Sequence, residues 1–279
     1  LNISLELSLP CWQDYRELLL AAGMEQAGEP RLPRPEKLNL VLAPYIQQQT
    51  RRPIRFVPAE SLTGVAYEEH IFKTGEISTR QDSWHDVFNA LVWARFPRIK
   101  AAMNASHYAQ IQQEDSPGRG PVRDALTLFD ECGVIVVGDR DEPLEALANR
   151  DWQALFCRHC ELWQNHMRVF VLGHALLEKF LNPYKSITAQ VLIFKSKPNF
   201  LQQTPTKQRE YLDIMLAGEV NAGLYLRSSA ELSPLPLMGI PGWWQAEAQN
   251  EDFYADTNVF RSTNATSNPA SILEMEIKL

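Results

Sequence analysis

The segment Arg80-Gln81-Asp82-Ser83-Trp84-His85-Asp86-Val87-Phe88-Asn89 gathers the densest set of chemistry-bearing side chains in the sequence. At about 100° per residue, His85 and Asn89 share one helix stripe, with Asp82 and Asp86 close beside it. Trp84, Val87, Phe88 and Leu91 take the opposite side, while Val92, Trp93 and Phe96 continue the polar stripe itself. A helix that is apolar nearly all round belongs in a core. Polar groups on it then need partners, because each one left unpaired costs about 1–3 kcal/mol. Two readings stand. In one, the stripe lines a pocket: His85 and Asp86 serve as acid–base groups or metal ligands, and Arg80, Trp84 and Asn89 hold a substrate. In the other, it is a solvent face or an internal network without chemistry.

Further sets lie downstream. Lys100, Asn104 and His107 share a helix face at i, i+4, i+7, and they join the first set only if the turn at Pro97 folds the two helices together. Asp130 and Glu131 are read either as turn formers or as a carboxylate pair for a divalent cation. His174 and Glu178 stand four apart, so one helix face can present both to a metal or as an acid–base pair, the alternative being a purely structural i,i+4 contact. The His-Glu-x-x-His zinc pattern is absent. Cys157-x-x-Cys160 lies inside a helical pattern with no second cysteine pair at zinc-ribbon spacing, so both are read as small buried residues. No phosphate-binding glycine loop, Gly-x-Ser-x-Gly elbow or dinucleotide fingerprint occurs.

The elements that must position these groups are read from periodicity and punctuation. Helices are expected over Cys11–Met24, over Glu36–Gln49 with Pro44 as a kink or stop, and over Asp82–Arg95, capped by Asp82 or Ser83 and ended by Pro97. Lys100–Ile111, Pro143–Arg150, Trp152–Asn165, Gly173–Leu181 and Thr206–Ala217 are also helical. Ala125–Asp130 and Val134–Val137, joined at Glu131-Cys132-Gly133, read as a β-hairpin. Arg168–Leu172 and Ile187–Lys195 read as strands. Ser116–Pro121 and the Pro- and Arg-rich stretches Gln26–Pro35 and Arg51–Pro58 are loops. The Pro- and Gly-rich remainder wraps the molecule without adding a core element. This order gives an α+β fold, mostly helical, with a small mixed or antiparallel sheet.

The chain has 279 residues, 45% hydrophobic and 22% charged, enough apolar material for a sizeable core. One globular domain over 1–261 is expected, or two tightly packed halves meeting near residue 120, followed by a tail over 262–279 that includes a loose Ser/Thr/Asn-rich stretch. The net charge of −7 argues against nucleic acid and anionic membranes as partners, and Arg51, Arg52 and Arg55 are read as solvated surface. No apolar run approaches the ~20 residues of a membrane span, the first ten residues do not read as a secretory signal, and four cysteines suit a reducing compartment. A cytoplasmic location follows as the expectation.

Tyr67-Glu68, Gly75, Thr79-Arg80, the run Trp84 to Leu91, Phe96-Pro97, Lys100 and Asn104 resemble the signature of a bacterial family of domains of unknown function, the one numbered three thousand and twenty-five. Later blocks are similar to it as well: Thr127 to Glu131, Gly173 to Glu178, Pro183-Tyr184-Lys185, Gly239 to Trp243, and Phe253 to Arg261. The resemblance implies a bacterial, cytoplasmic protein and brings no activity. The expected function is a metal-assisted hydrolase, with phosphate esters as the candidate substrates. His85, Asp86, His174 and Glu178 would be ligands or acid–base groups, with Asp130 and Glu131 as further metal carboxylates. Arg80, Trp84, Asn89, Lys100, Asn104 and Tyr184 would contact the substrate. The alternative is a non-catalytic protein holding a small molecule or peptide in an aromatic-lined polar pocket. The identity of any cofactor stays unknown at this level.

Overall fold

The computed structural model describes residues 5–24, 32–47, 49–62, 64, 66–113, 120–245, 248–262 and 269–275. Residues 116–119 of the expected Ser116–Pro121 loop, much of Gln26–Pro35 and most of the Ser/Thr/Asn-rich stretch fall outside them, while Gly120 and Pro121 cap and open α6. The N-terminal part contains α1 (Arg16–Ala21), α2 (Pro35–Ile46), β1 (Arg55–Pro58), α3 (Tyr67–Thr74), β2 (Glu76–Thr79), α4 (Trp84–Arg95) and α5 (Pro97–Gln113). There follow α6 (Pro121–Cys132), β3 (Gly133–Gly138), α7 (Asp141–Ala148), α8 (Cys160–His166), β4 (Met167–Val171), α9 (His174–Lys179) and β5 (Thr188–Lys195). The chain closes with α10 (Pro198–Leu201), α11 (Pro205–Asn221), β6 (Ser233–Pro236), α12 (Glu251–Tyr254) and β7 (Ile272–Glu274). The fold is α+β with small mixed sheets. Among the described residues, no helix is long and apolar enough to cross a membrane.

The central sheet runs β4-β3-β5-β6. Strand β3 is antiparallel to β4 and parallel to β5, and all six of its residues are buried, as expected for a strand covered on both faces. The second edge of β5 is divided: residues 188–191 pair with β6 and residues 193–195 with β7. A separate parallel pair, β1 and β2, accompanies α3.

Several sequence expectations need correction. Ala125–Asp130 is not the first strand of a hairpin. It belongs to α6, which runs directly into β3. Val122, Ala125, Leu126 and Phe129 recur at i, i+3, i+4, i+7, a helical period, and Pro121 opens the helix where its missing N–H does no harm. Asp130 and Glu131 therefore sit in the last turn of a helix and not at a hairpin tip. Ser233–Pro236 is a real strand of the central sheet, with its prolines tolerated on an edge. Pro44 neither ends nor interrupts α2. The helix expected over Trp152–Asn165 is broken by a π-turn at Ala154–Arg158, and Cys157 and Cys160 are free thiols only partly buried. Only Arg16–Ala21 of the first expected helix is α-helical, preceded by a 3-10 turn at Pro10–Trp12.

Helix α4 is as buried as its pattern demands, with every residue from Val87 to Arg95 inside. Ser83 caps it by accepting from the Asp86 N–H at 3.3 Å. The Phe88 ring stacks between Trp12 and Trp84, and Trp12 meets Phe180, just past α9, edge-on. Aromatic packing thus locks α4 against α9.

Candidate metal centre

Three chain segments meet at the N-terminal end of β3. The first is the C-terminal turn of α6, carrying Asp130 and Glu131. The second is the link from β4 into α9. It is tied down because the Leu172 and Gly173 N–H groups both donate to the Gly133 carbonyl, at 3.0 and 2.8 Å. His174, the first residue of α9, is thereby held beside Glu131. The third is the first turn of α4, carrying His85.

Gly173 is what allows this approach. A Cβ there would stand 2.6 Å from the Cys132 Cα, the Glu131 carbonyl and the Gly133 nitrogen, all backbone atoms that cannot swing aside. Gly173→Ala is expected to lower unfolding free energy by about 1–3 kcal/mol, the range for overpacking, and to move His174 away from Glu131. Urea unfolding combined with metal titration of the variant measures both effects.

The two imidazoles face each other, Nε2 to Nε2, at 2.9 Å with their rings edge-on at 74°. The Glu131 carboxylate completes the group. One oxygen lies 3.6 Å from His174 Nε2 and the other 4.0 Å from His85 Nε2. Among the described residues, His85, Glu131 and His174 are the one set of His, Cys, Asp or Glu side chains whose ligand atoms all converge within 4.8 Å. Around a tetrahedral zinc with Zn–N near 2.0–2.1 Å, two ligand nitrogens stand about 3.3 Å apart, so the rings need part only by a few tenths of an ångström. His174 is buried, whereas the His85 and Glu131 side chains are 32% and 39% exposed, which leaves one side open to solvent.

A second layer supports these groups. Glu178 accepts at 3.2 Å from His85 Nδ1, the carboxylate–histidine arrangement that fixes a ligand's tautomer. Asp130 Oδ2 lies 3.7 Å from His174 Nδ1. Asp130 in turn accepts from the buried Lys100 ammonium, which also donates to Asn89 Oδ1 at 2.9 Å. Asn89 donates to the Tyr67 hydroxyl at 3.0 Å. Deeper still, Asn104 donates to the Glu68 carboxylate at 2.6 Å.

Burial drives the electrostatics. It pushes His174 down to about 4, helped by the Lys100 charge and opposed by Asp130. Burial by itself would raise the Asp130 carboxyl, yet the Lys100 ammonium and His174 hold it below its ordinary range. Burial raises Glu131, with Asp130 and Glu178 adding to the rise against the pull of His85. Burial raises Glu68 too.

His174 is therefore neutral near pH 7, the form that binds metal. Its folded value lies below its ordinary 6.5, so the unfolded chain takes up the proton first on acidification. In the metal-free protein this group's contribution to stability is complete above pH 6.5, and up to about 3 kcal/mol of it is lost as pH falls towards 4. Urea melts of chelator-treated protein at pH 7.5 and 4.5 test this. His174→Gln is expected to lose markedly less on acidification.

The other residues singled out in the sequence are placed as follows. His85, His174, Glu178, Asp130 and Glu131 come together. Asp86 does not join them: it accepts from the Arg80 N–H at 2.6 Å and from the guanidinium at 3.0 and 2.7 Å, bracing the turn before α4. Asn89, Lys100 and Asn104 do lie against the first set, since the turn at Pro97 folds α5 onto α4, but their polar groups bond inside the protein. Trp84 stacks on Phe88, and Tyr184 is exposed. Sequence reading did not single out Tyr67 and Glu68 for this network. Their only signal was a shared block with Gly75 and Arg80.

A family profile described as "Protein of unknown function (DUF3025)" matches residues 54–264, a span containing every group named in this site. No curated protein and no solved structure matches the chain.

Proposed function

The chain belongs to the DUF3025 family, and because that family is described as of unknown function, we propose from the residues themselves that the protein is a metal-dependent hydrolase. His85 Nε2, His174 Nε2 and one Glu131 oxygen bind the ion. The supporting observation is the meeting of these donors from three separate segments, with both imidazole Nε2 atoms turned inward. Two histidines and a carboxylate with a fourth position free make up a common donor set of catalytic zinc. A metal at such a site lowers the pKa of a bound water and so supplies hydroxide near neutrality. Glu178 holds His85 in the tautomer that leaves Nε2 for the ion, and burial keeps His174 unprotonated.

Phosphate esters are the first substrates to test. Arg80, 63% exposed and three residues ahead of the α4 cap, is a nearby cation that faces solvent, although its charge is shared with Asp86. Lys100 is spent on Asp130 and supports the ligands instead of touching substrate. The setting in this reading is the bacterial cytoplasm, supported by the free thiols of all four cysteines, and the substrate is a small molecule.

The test is a chromogenic panel of phosphate mono- and diesters, carboxylic esters and amides, run with zinc, manganese or ferrous iron. Turnover of one class with one metal, reduced about 1,000-fold or more in His85→Ala, is expected. The same donor set also serves ferrous oxygenases, so dioxygen consumption with iron and no hydrolysis of any class would replace this reading.

A further inference from the structure

A cavity lies away from the histidines. Between α5, α11 and the segment leading into β1 there is a cleft of about 720 Å³, within the range that holds small organic ligands. Small residues create the space: Ala101 and Ala105 on α5 face Ala217 and Gly218 on α11. A side-chain carbon added at Gly218 would meet nothing within 4 Å. Phe72, Trp93 and Ile214, the last 55% exposed, supply apolar surface to its walls.

The charge on its lining is opposite to that of the chain. The protein carries −7 overall, yet the cleft is lined by Arg51, Arg52 and Arg98 and, among the described residues, by no Asp or Glu. Arg51 has no partner among the described residues. Arg52 donates to the Lys73 carbonyl. Behind Arg98, at 3.5 Å, stands Asp213, a buried carboxylate already accepting from the Arg98 and Ile99 N–H groups. Gln49 also lines the cleft, and its buried Oε1 has no hydrogen-bond partner among the described residues. A buried acceptor without a donor is uncommon in a finished interior and is what a ligand group would satisfy.

We propose that this cleft binds an amphipathic organic anion, its apolar body of about ten carbons lying between α5 and α11 and its carboxylate or phosphate head facing the arginines. None of the metal-centre ligands lines the cleft, so this site stands whatever the outcome at the histidines.

Calorimetric titration with decanoate, decyl phosphate and decanol tests it. Saturable one-to-one binding of at least one anion is expected, with decanol at least tenfold weaker, and comparison of the two anions tells which head group is preferred. Arg51→Glu, which breaks no contact, is expected to weaken the bound anion about tenfold. Gly218→Trp fills the space and is expected to abolish binding, with Ala105→Leu as the substitute should that variant not fold. Equal affinity for decanol, no saturable binding of either anion, or unchanged affinity in the filled variant would overturn the proposal.

Discussion

His85→Ala and His174→Ala are each expected to weaken zinc binding by at least about 100-fold, measured by competition against a chromophoric chelator at pH 7.5. The magnitude follows from the ligand count. Each substitution leaves one imidazole and one carboxylate, and the loss of a directly bound ligand should exceed the 10–100-fold that supporting groups typically contribute. Glu178→Gln supplies that internal comparison. It keeps the hydrogen bond to His85 Nδ1 in altered form and is expected to fall within the 10–100-fold range. The two histidines also differ usefully in exposure. His174 is buried, so its replacement carries a folding penalty, whereas His85 is partly exposed and its replacement reports on the metal more cleanly. Equal zinc affinity in His85→Ala and the wild type would remove the centre from consideration.

Lys100→Met is expected to destabilise the protein by about 3–5 kcal/mol near neutral pH, the usual range when one partner of a buried ion pair is lost. The Lys100 side chain is 6% exposed and its ammonium is divided between Asp130 and Asn89. Methionine leaves the Asp130 carboxylate without its cation. The pH dependence has a definite sign. In the wild type, the Asp130 carboxyl is held below its ordinary 3.8, so its contribution is present above that value and disappears only as pH falls through the lower folded one. Without Lys100, burial dominates and raises the group, so the variant's deficit should be largest at pH 7–8 and shrink towards pH 4. Adding Asp130→Asn should restore much of the loss, since a neutral pair needs no counter-charge. Urea melts across that pH range, on metal-free protein, give the answer. A deficit under about 1 kcal/mol, or one that does not change with pH, would mean that the pair carries little.

Part of this candidate site was legible in the letters. The all-round apolar character of residues 84–96 required burial, and polar groups on such a helix, the buried Asn89 and the partly exposed His85, required partners. His174 and Glu178 at i, i+4 identified the second segment. What the letters did not reveal is the meeting of segments about 90 residues apart, because no local period encodes the hydrogen bonds from Leu172 and Gly173 to Gly133 that bring α9 to the end of α6. The error at Ala125–Asp130 had a local cause. Short apolar runs beside Gly133 suit strand and helix alike, and the helical spacing of Val122, Ala125, Leu126 and Phe129 was the better guide. Asp86 illustrates a further limit. Its position next to His85 suggested chemistry, but its side chain turns back to close a local turn with Arg80, a common habit of aspartate near helix starts.

The most direct measurement is diffraction from crystals grown with zinc, recorded on both sides of the metal's absorption edge. An anomalous peak is expected about 2.0–2.2 Å from His85 Nε2, His174 Nε2 and a Glu131 oxygen, with the two imidazoles parted slightly beyond their present 2.9 Å. Crystals showing the imidazoles still bonded to each other, and no anomalous density between them at saturating zinc, would contradict the account.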